Sequence, residues 1–146
     1  MGRESNLEIR QLVLAKSLYL HGCGHASCKD SVSRMLAIHH FENAVEIVLK
    51  CVAAKQGITP EKKYFYFEEL LDKVSDLPLK EQVRGLHYVR NIVQHQGDIP
   101  SVESVIKYQG YRAWFSSYFI EVGKGIIIGP LISACLRVSV ILVDTF

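Results

Sequence analysis

Arg90 is the residue of this sequence most suggestive of chemistry. The stretch around it carries one apolar stripe at helical spacing, formed by Leu79, Val83, Leu86 and Val93. At about 100° per residue, Arg90 falls in the middle of that stripe, about 20° from its first member. An amphipathic helix would carry an apolar side chain there. An arginine in such a place pairs with a carboxylate, extends to solvent, or faces a ligand that requires positive charge.

The opposite stripe of the same stretch is polar and aromatic, and it ends in a histidine. Its members lie close together because they are three or four residues apart; they are Arg84, Tyr88, Asn91 and His95. His95 falls in the predicted last turn, where the helix dipole stabilises a protonated imidazole by about 0.3–1 kcal/mol. Because histidine exchanges a proton near neutral pH, this position suits acid or base catalysis.

Arg90 and His95 cannot easily reach one small ligand on a straight helix, because five steps of about 100° place them about 140° apart. Two arrangements would bring them together. The last turn could unwind at Gly97, or a two-fold dimer could place the same helix of a second copy opposite the first. The second arrangement predicts a site that is divided between two subunits at a dimer cleft.

Length and composition are those of one ordinary globular domain, which we predict over residues 1–146. The chain has 146 residues, of which 49% are hydrophobic and 22% charged, and these values exclude a disordered or fibrous protein. A net charge of +2 is too small for a general nucleic-acid coat, so a polyanion would need a local site. The polar N-terminus carries no secretory signal, which predicts a cytoplasmic protein with free thiols.

Glycine and proline divide the sequence into helical segments. Glycines fall where helices are expected to end, and prolines fall where the next helix is expected to begin. The predicted helices span about Glu4–Leu20, Lys29–Gln56, Glu61–Val74, Leu79–His95 and Ser101–Val122. The second of them has a broad apolar face, made of Ala37, Phe41, Ala44, Val45, Val48, Leu49 and Val52. Since the connections are short and strands do not alternate with helices, we predict an all-α, up-and-down bundle of about five helices.

Two boundaries of the bundle carry separate expectations. Ser27, three residues before Asp30, is the expected N-cap of the second helix. The stretch Ile126–Val143 is apolar, with Arg137 as its one charge. An arginine near the centre of a bilayer costs about 2.5–3.5 kcal/mol, and a Gly-Pro pair interrupts the run. We therefore expect a buried apolar C-terminal element and no membrane span.

Residues Arg90 to His95 spell R-N-x-x-x-H, which resembles the signature of the HEPN superfamily, the higher eukaryote and prokaryote nucleotide-binding domains. The segment Ala44–Lys50, AVEIVLK, is similar to the A-v-E-x-x-L-K helix common in that family. The order of the predicted helices agrees as well. The resemblance covers roughly residues 4–123, and the two motifs in the right order are more specific than either alone.

The resemblance implies a helical bundle that dimerises along the motif helices. In its active members it implies endoribonuclease activity that needs no metal or other cofactor. Carried over to this sequence, Arg90 and His95 would be the catalytic pair, and Asn91 would orient the site. The residues that we expect to bind substrate beside them are Arg84, Tyr88 and Glu46. The implied partners are a second copy of the chain, RNA or a nucleotide, and in some members a nucleotidyltransferase-type protein, without any membrane.

The same motif is compatible with a bundle that performs no chemistry. Other members of the family are scaffolds or nucleotide-binding modules. Arg90 could equally be the structural partner of Glu42 or Glu46 on the second helix, and a histidine in a last turn can simply cap carbonyl groups. A non-catalytic helical module is therefore the alternative function.

Three further patterns offer weaker alternatives. A zinc site could form on the predicted loop from His21, Cys23, His25 and Cys28, although this spacing is tighter than that of usual zinc sites. His39 and Glu42 could belong to a bundle metal site, but no second helix repeats their pattern. The segment Lys62–Phe67 mixes basic and aromatic residues that could stack on bases, whereas Phe67 at helical spacing with Leu70, Leu71 and Val74 indicates core packing.

Overall fold

The computed structural model describes residues 2–59 and 66–111, within the compact unit Met1–Tyr111. The helices in these ranges are α1 (Gly2–Ala26), α2 (Ser31–Lys55), α3 (Phe67–Lys73), α4 (Lys80–Gln96) and α5 (Val102–Gln109). No strand occurs in the described ranges, so the prediction of an all-α bundle of about five helices is confirmed. The predicted apolar C-terminal element lies outside the described residues. The prediction of one continuous fifth helix from Ser101 to Val122 is wrong, because α5 ends at Gln109 with Gly110 as its C-cap residue and a turn follows.

The central helix is α2, which contacts each of the other four helices. Its predicted apolar face is confirmed, because every member of that face is buried. The side chains of Phe41, Ile38 and Leu49 are among the largest fully buried groups of the described chain. Since each such side chain stabilises the fold by roughly 1.5–3 kcal/mol, α2 is the helix on which the bundle is assembled.

Helix α1 runs antiparallel to α2. Glu8 Oε1 lies 3.4 Å from Lys55 Nζ near the start of α1 and the end of α2. Further along α1, the ring centroid of Tyr19 is 5.4 Å from that of Phe41. The order of these contacts shows the up-and-down connection that the short loop predicts.

The prediction that the first helix ends near Leu20 is wrong, because α1 continues through Gly22 and Gly24 to Ala26. Gly22 is a packing position and not a helix end. A Cβ atom at Gly22 would lie 2.6 Å from Cε1 of Phe41, which is itself buried. Glycine is therefore needed here for the close approach of two helices, a long-range requirement that local sequence rules do not detect.

Replacing Gly22 with alanine should destabilise the fold by about 1–3 kcal/mol, because the new methyl group overpacks the core against Phe41. Gly24 provides the matched control on the same helix, since a Cβ atom there would meet nothing within 4 Å. Gly24→Ala should stabilise the protein by up to about 1 kcal/mol through helix propensity. Urea denaturation followed by circular dichroism measures both changes, and equal effects of the two substitutions would contradict the packing argument.

The N-cap of α2 is Asp30 and not Ser27, so that prediction is also wrong. The Asp30 side chain accepts a hydrogen bond of 2.8 Å from the Ser33 amide, whereas the Ser27 hydroxyl donates to the Cys23 carbonyl at the end of α1. The bond from Ser33 lowers the pKa of Asp30, since it stabilises the charged carboxylate. Because α1 extends to Ala26, Ser27 lies at the end of that helix, and α2 begins only at Ser31.

The bounds of α4 agree with the prediction to within one residue. The helix ends at Gly97, which has a φ of 71° in the left-handed region that glycine favours. Three members of the predicted apolar stripe, Val83, Leu86 and Val93, are buried. The fourth, Leu79, is exposed, because it precedes the helix as an N-cap residue with a φ of 58°.

Helices α3 and α4 are antiparallel neighbours joined by charged groups. Arg84 of α4 binds Glu68 and Asp72 of α3, and the predicted core residues of α3, namely Phe67, Leu70, Leu71 and Val74, are buried. The basic-aromatic residues Lys62–Phe65 lie outside the described ranges. Within those ranges, no helix combines the length and hydropathy that crossing a bilayer requires.

Candidate Arg90 site

A buried carboxylate, Glu42, lies at the centre of the candidate site. It projects from α2 and is only 1% exposed, the one charged residue among the buried side chains of the described chain. Its Oε1 lies at hydrogen-bond distance, 2.7 Å, from Nδ1 of His87, and its Oε2 lies 3.6 Å from Nε of Arg90. Because a buried charge is tolerated only with charged or hydrogen-bonding partners, these two residues of α4 determine where the carboxylate can sit.

The guanidinium of Arg90 has two neighbours within the chain, on a side chain that is partly exposed. Its Nε is buried beside Glu42 without a hydrogen bond, and Nη1 donates to Oδ1 of Asn91 over 3.0 Å. No other side chain or carbonyl of the described ranges accepts a hydrogen bond from it, and 24% of the side chain is exposed. Arginine carries five N–H donors, so the group retains donors for an external anion.

The imidazole of His87 is fixed from two directions. Glu42 holds its Nδ1, and the ring of Phe67 from α3 stacks on it with centroids 4.0 Å apart and planes inclined by 3°. The side chain is 16% exposed. Three helices therefore contribute to the orientation of one histidine, which lies one helical turn before Arg90.

A second histidine, His39 of α2, faces the same charges. Burial lowers the pKa of His39, the positive charge of Arg90 lowers it further, and Glu42 acts in the opposite direction. A neutral imidazole is therefore favoured beside the guanidinium. The site thus contains one carboxylate, one permanent cation and two imidazoles.

The catalytic residues predicted from the motif are only partly brought together within one chain. Arg90 and Asn91 are in direct contact, whereas His95 is exposed in the last turn of α4. The helix remains regular through Gln96, so the structure does not contain the unwound last turn that would swing His95 towards Arg90. Of the two arrangements that could bring Arg90 and His95 together, the two-fold dimer is the one that stays a prediction.

The residues expected to bind substrate lie in different surroundings. Arg84 donates hydrogen bonds to three carboxylates, those of Glu68, Asp72 and Glu81, so a phosphate would have to bind beside three negative charges. The bonds to Glu68 and Glu81 raise the pKa of Arg84. Tyr88 is 66% exposed and available for contact. Glu46 pairs with Lys50 at 2.6 Å, and the carboxylate beside Arg90 is Glu42.

Sequence reasoning left the choice between Glu42 and Glu46 open and did not identify His87 at all. The two glutamates are four residues apart on α2, and only the packing angle between α2 and α4 selects one of them. A signal for His87 was present, because it precedes Arg90 by three residues. On a helix this spacing places the two side chains about 60° apart, on the same side.

The loop that the zinc alternative requires is absent, because residues up to Ala26 belong to α1. Across the described ranges, no group of three or more His, Cys, Asp or Glu side chains is arranged to hold a metal ion. His25 instead stacks on His40 of α2, with centroids 5.3 Å apart, and His21 lies 5.9 Å from the same ring. These three residues form an imidazole cluster between α1 and α2.

The imidazole cluster should make the protein less stable in mild acid. Burial lowers the pKa of His40 from 6.5, and His25, His21 and His39 lower it further. The unfolded chain therefore binds the proton first, so stability is complete above about pH 6.5 and falls as the pH drops towards the folded-state value. Urea midpoints measured between pH 7.5 and pH 5.5 should decrease.

The His40→Gln variant should show a smaller decrease over the same range, because it lacks the group whose pKa is lowered. His95→Gln, which removes an exposed histidine outside the cluster, serves as the control and should not reduce the decrease. If His40→Gln loses as much stability as the wild type, the acid sensitivity comes from another part of the molecule.

Comparison of the chain with protein-family models, curated proteins and solved structures gives no match. The function is therefore argued from the geometry around Arg90 and from the R-N-x-x-x-H resemblance.

Proposed function

We propose that the chain is a cytoplasmic, HEPN-like domain that cleaves RNA without a metal and does so as a homodimer. Arg90 binds the scissile phosphate, Asn91 orients the guanidinium, and His95 of a second copy transfers a proton. The observation that carries this proposal is the half-buried guanidinium of Arg90. Glu42 and Asn91 anchor it from one side, while further N–H donors have no partner in the described part of the chain.

The chemistry requires a cation and a proton carrier close to one phosphodiester. The 2′-hydroxyl of the RNA attacks the adjacent phosphorus, and negative charge grows on the phosphoryl oxygens. A fixed guanidinium stabilises that charge through paired hydrogen bonds, and an imidazole that gives or takes the proton contributes about 10²–10⁴-fold. The products are a 2′,3′-cyclic phosphate and a free 5′-hydroxyl.

The first test is cleavage of a mixed-sequence, single-stranded RNA by the purified protein in the presence of EDTA. The wild type should release fragments that end in a 2′,3′-cyclic phosphate, and His95→Ala should reduce the rate by at least about 10²-fold. Circular dichroism verifies that the variant folds. Cleavage by His95→Ala at the wild-type rate, or no cleavage by the wild type, would overturn the proposal.

A mixing experiment tests whether the site is shared between two subunits. Arg90→Ala and His95→Ala proteins are unfolded together and refolded, so that subunits exchange. If Arg90 and His95 act across the dimer, the mixture should regain about one quarter of the wild-type activity. About half of the dimers should contain one subunit of each variant. Each such mixed dimer has one intact site and one site that lacks both residues. A mixture as inactive as its components would contradict the shared site.

The non-catalytic module is the second candidate, and one contact favours it. Arg90 lies beside Glu42 of its own chain, so the charge pair can stabilise the bundle without any substrate. A protein that forms a dimer in sedimentation experiments, binds RNA or a nucleotide, and never cleaves RNA would belong to this class.

A further inference from the structure

We infer that His87, and not only His95, is a proton-transferring residue of the Arg90 site, with Glu42 holding it in the tautomer that acts as a base. This inference rests on the proposed RNA cleavage. It starts from a contact that the sequence motif does not include, the hydrogen bond of 2.7 Å between Nδ1 of His87 and Oε1 of Glu42.

The carboxylate determines which nitrogen of His87 carries the proton. An ionised Glu42 can only accept a hydrogen bond, so beside the carboxylate Nδ1 is the protonated nitrogen of the neutral imidazole, and Nε2 keeps a free lone pair. The stacked ring of Phe67 fixes the plane of the imidazole, and the contact between Nδ1 and Glu42 fixes which edge of the ring faces the carboxylate. A carboxylate that orients a histidine in this way is the arrangement by which enzymes prepare a general base.

His87 also lies on the side of α4 where a base is needed. The 2′-hydroxyl is bonded to the ribose carbon next to the one that carries the phosphate, so its proton acceptor must be close to the group that binds the phosphate. His87 is about 60° from Arg90 around the helix, whereas His95 is about 140° away. Of the two histidines of α4, the one that can share a nucleotide with Arg90 within one subunit is therefore His87, and unlike His39 of α2 it is oriented by a carboxylate at hydrogen-bond distance.

The two histidines would then have separate roles in an in-line displacement, in which attacking and leaving oxygens lie on opposite sides of phosphorus. Nε2 of His87 takes the proton of the 2′-hydroxyl as the O2′–P bond forms. The P–O5′ bond breaks, and O5′ receives a proton from protonated His95 of the second copy. His87 ends protonated and His95 neutral, and exchange with water restores both.

The charged groups around His87 are compatible with this role. Glu42 faces it from α2 and Arg90 shares that carboxylate from α4, so the two charges compensate each other. His39 of α2 faces the same pair. From α3 the contact is the uncharged ring of Phe67, since the nearby carboxylates Glu68 and Asp72 bind Arg84.

The test compares RNA with uridine 3′-(4-nitrophenyl phosphate), whose leaving group departs without a proton. With RNA, both His87→Gln and His95→Ala should lower kcat by about 10²-fold or more. With the nitrophenyl ester, His95→Ala should recover to within a few-fold of the wild type, while His87→Gln should stay impaired. A merely structural role of His87 would lower the kcat of His87→Gln on both substrates to a similar extent at every pH, whereas loss of a base should also remove the acidic limb of the kcat profile with the nitrophenyl ester. His25→Gln, a half-buried histidine of the imidazole cluster, serves as the control.

Measurements on the wild type keep the inference testable if His87→Gln does not fold. Imidazole ¹⁵N chemical shifts should identify the Nδ1–H tautomer of neutral His87, and an Nε2–H tautomer would overturn the inference. The acidic limb of the kcat profile should coincide with the titration of His87 followed by NMR. A wild type that cleaves neither substrate refutes the proposed function together with this inference. An active wild type with an equally active His87→Gln refutes this inference alone.

Discussion

Replacing Arg90 with alanine is expected to lower kcat for RNA cleavage by about 10²–10³-fold, because a fixed donor to the developing phosphoryl charge is lost. KM should rise as well, since the guanidinium also contacts the phosphate in the ground state. Steady-state cleavage of a fluorescent oligoribonucleotide measures both constants. Arg10→Ala, which removes an exposed arginine of α1, should leave both constants near those of the wild type.

The Arg90→Lys variant separates the role in catalysis from the role in the fold. Lysine keeps a positive charge near Glu42 but cannot present the planar pair of donors that a phosphate accepts. We expect this variant to recover most of the stability that Arg90→Ala loses, while its cleavage stays at least about 10-fold slower than wild type. Full recovery of the rate would show that Arg90 acts only as a diffuse positive charge.

Replacing Glu42 with leucine should destabilise the fold by about 3 kcal/mol, because breaking a buried ion pair leaves its partners without compensation. The loss should lie near the lower end of the usual range, since Arg90 is partly exposed and can turn towards water. Domains of this size are stable by only about 5–15 kcal/mol, so the change in the urea midpoint should be large.

Two further variants identify the cause of that loss. Glu46→Ala removes a more exposed glutamate of the same helix that pairs with Lys50, and it should cost at most about 0.5 kcal/mol. The double variant Glu42→Leu with Arg90→Leu should be more stable than Glu42→Leu alone, because no unpaired charge remains. If the double variant is instead less stable, lost packing and not the charge explains the effect.

The sequence predicts those parts of the fold that depend on local rules. The apolar face of α2 follows from helical periodicity, and the end of α4 follows from Gly97, whose φ of 71° is costly for other residues. Gly22 is an exception to the expectation that a glycine marks the end of a helix, because its role is determined by Phe41 on another helix. A rule that reads one segment at a time cannot distinguish a glycine that ends a helix from one that admits a neighbour.

The candidate site, like the fold, is predictable from the sequence only in part. The position of Arg90 within an apolar stripe identified it as the unusual residue, and its contact with Asn91 joins two members of the motif. The sequence offered Glu42 only as one of two possible partners of Arg90, and no spacing relates Glu42 to His87. Their contact follows from the packing of α2, α3 and α4. The packing of three helices therefore contributed what the motif alone did not contain.

The position of Glu42 on α2 determines how long its carboxylate stays in place beside Arg90. Every other described helix contacts α2, so a brief local opening of one peripheral segment leaves the carboxylate where it is. Amide hydrogens of α2 around Glu42 should exchange with deuterium only through global unfolding, whereas those near His95 should exchange through fraying of the helix end. The charge that holds Arg90 therefore persists as long as the folded state itself.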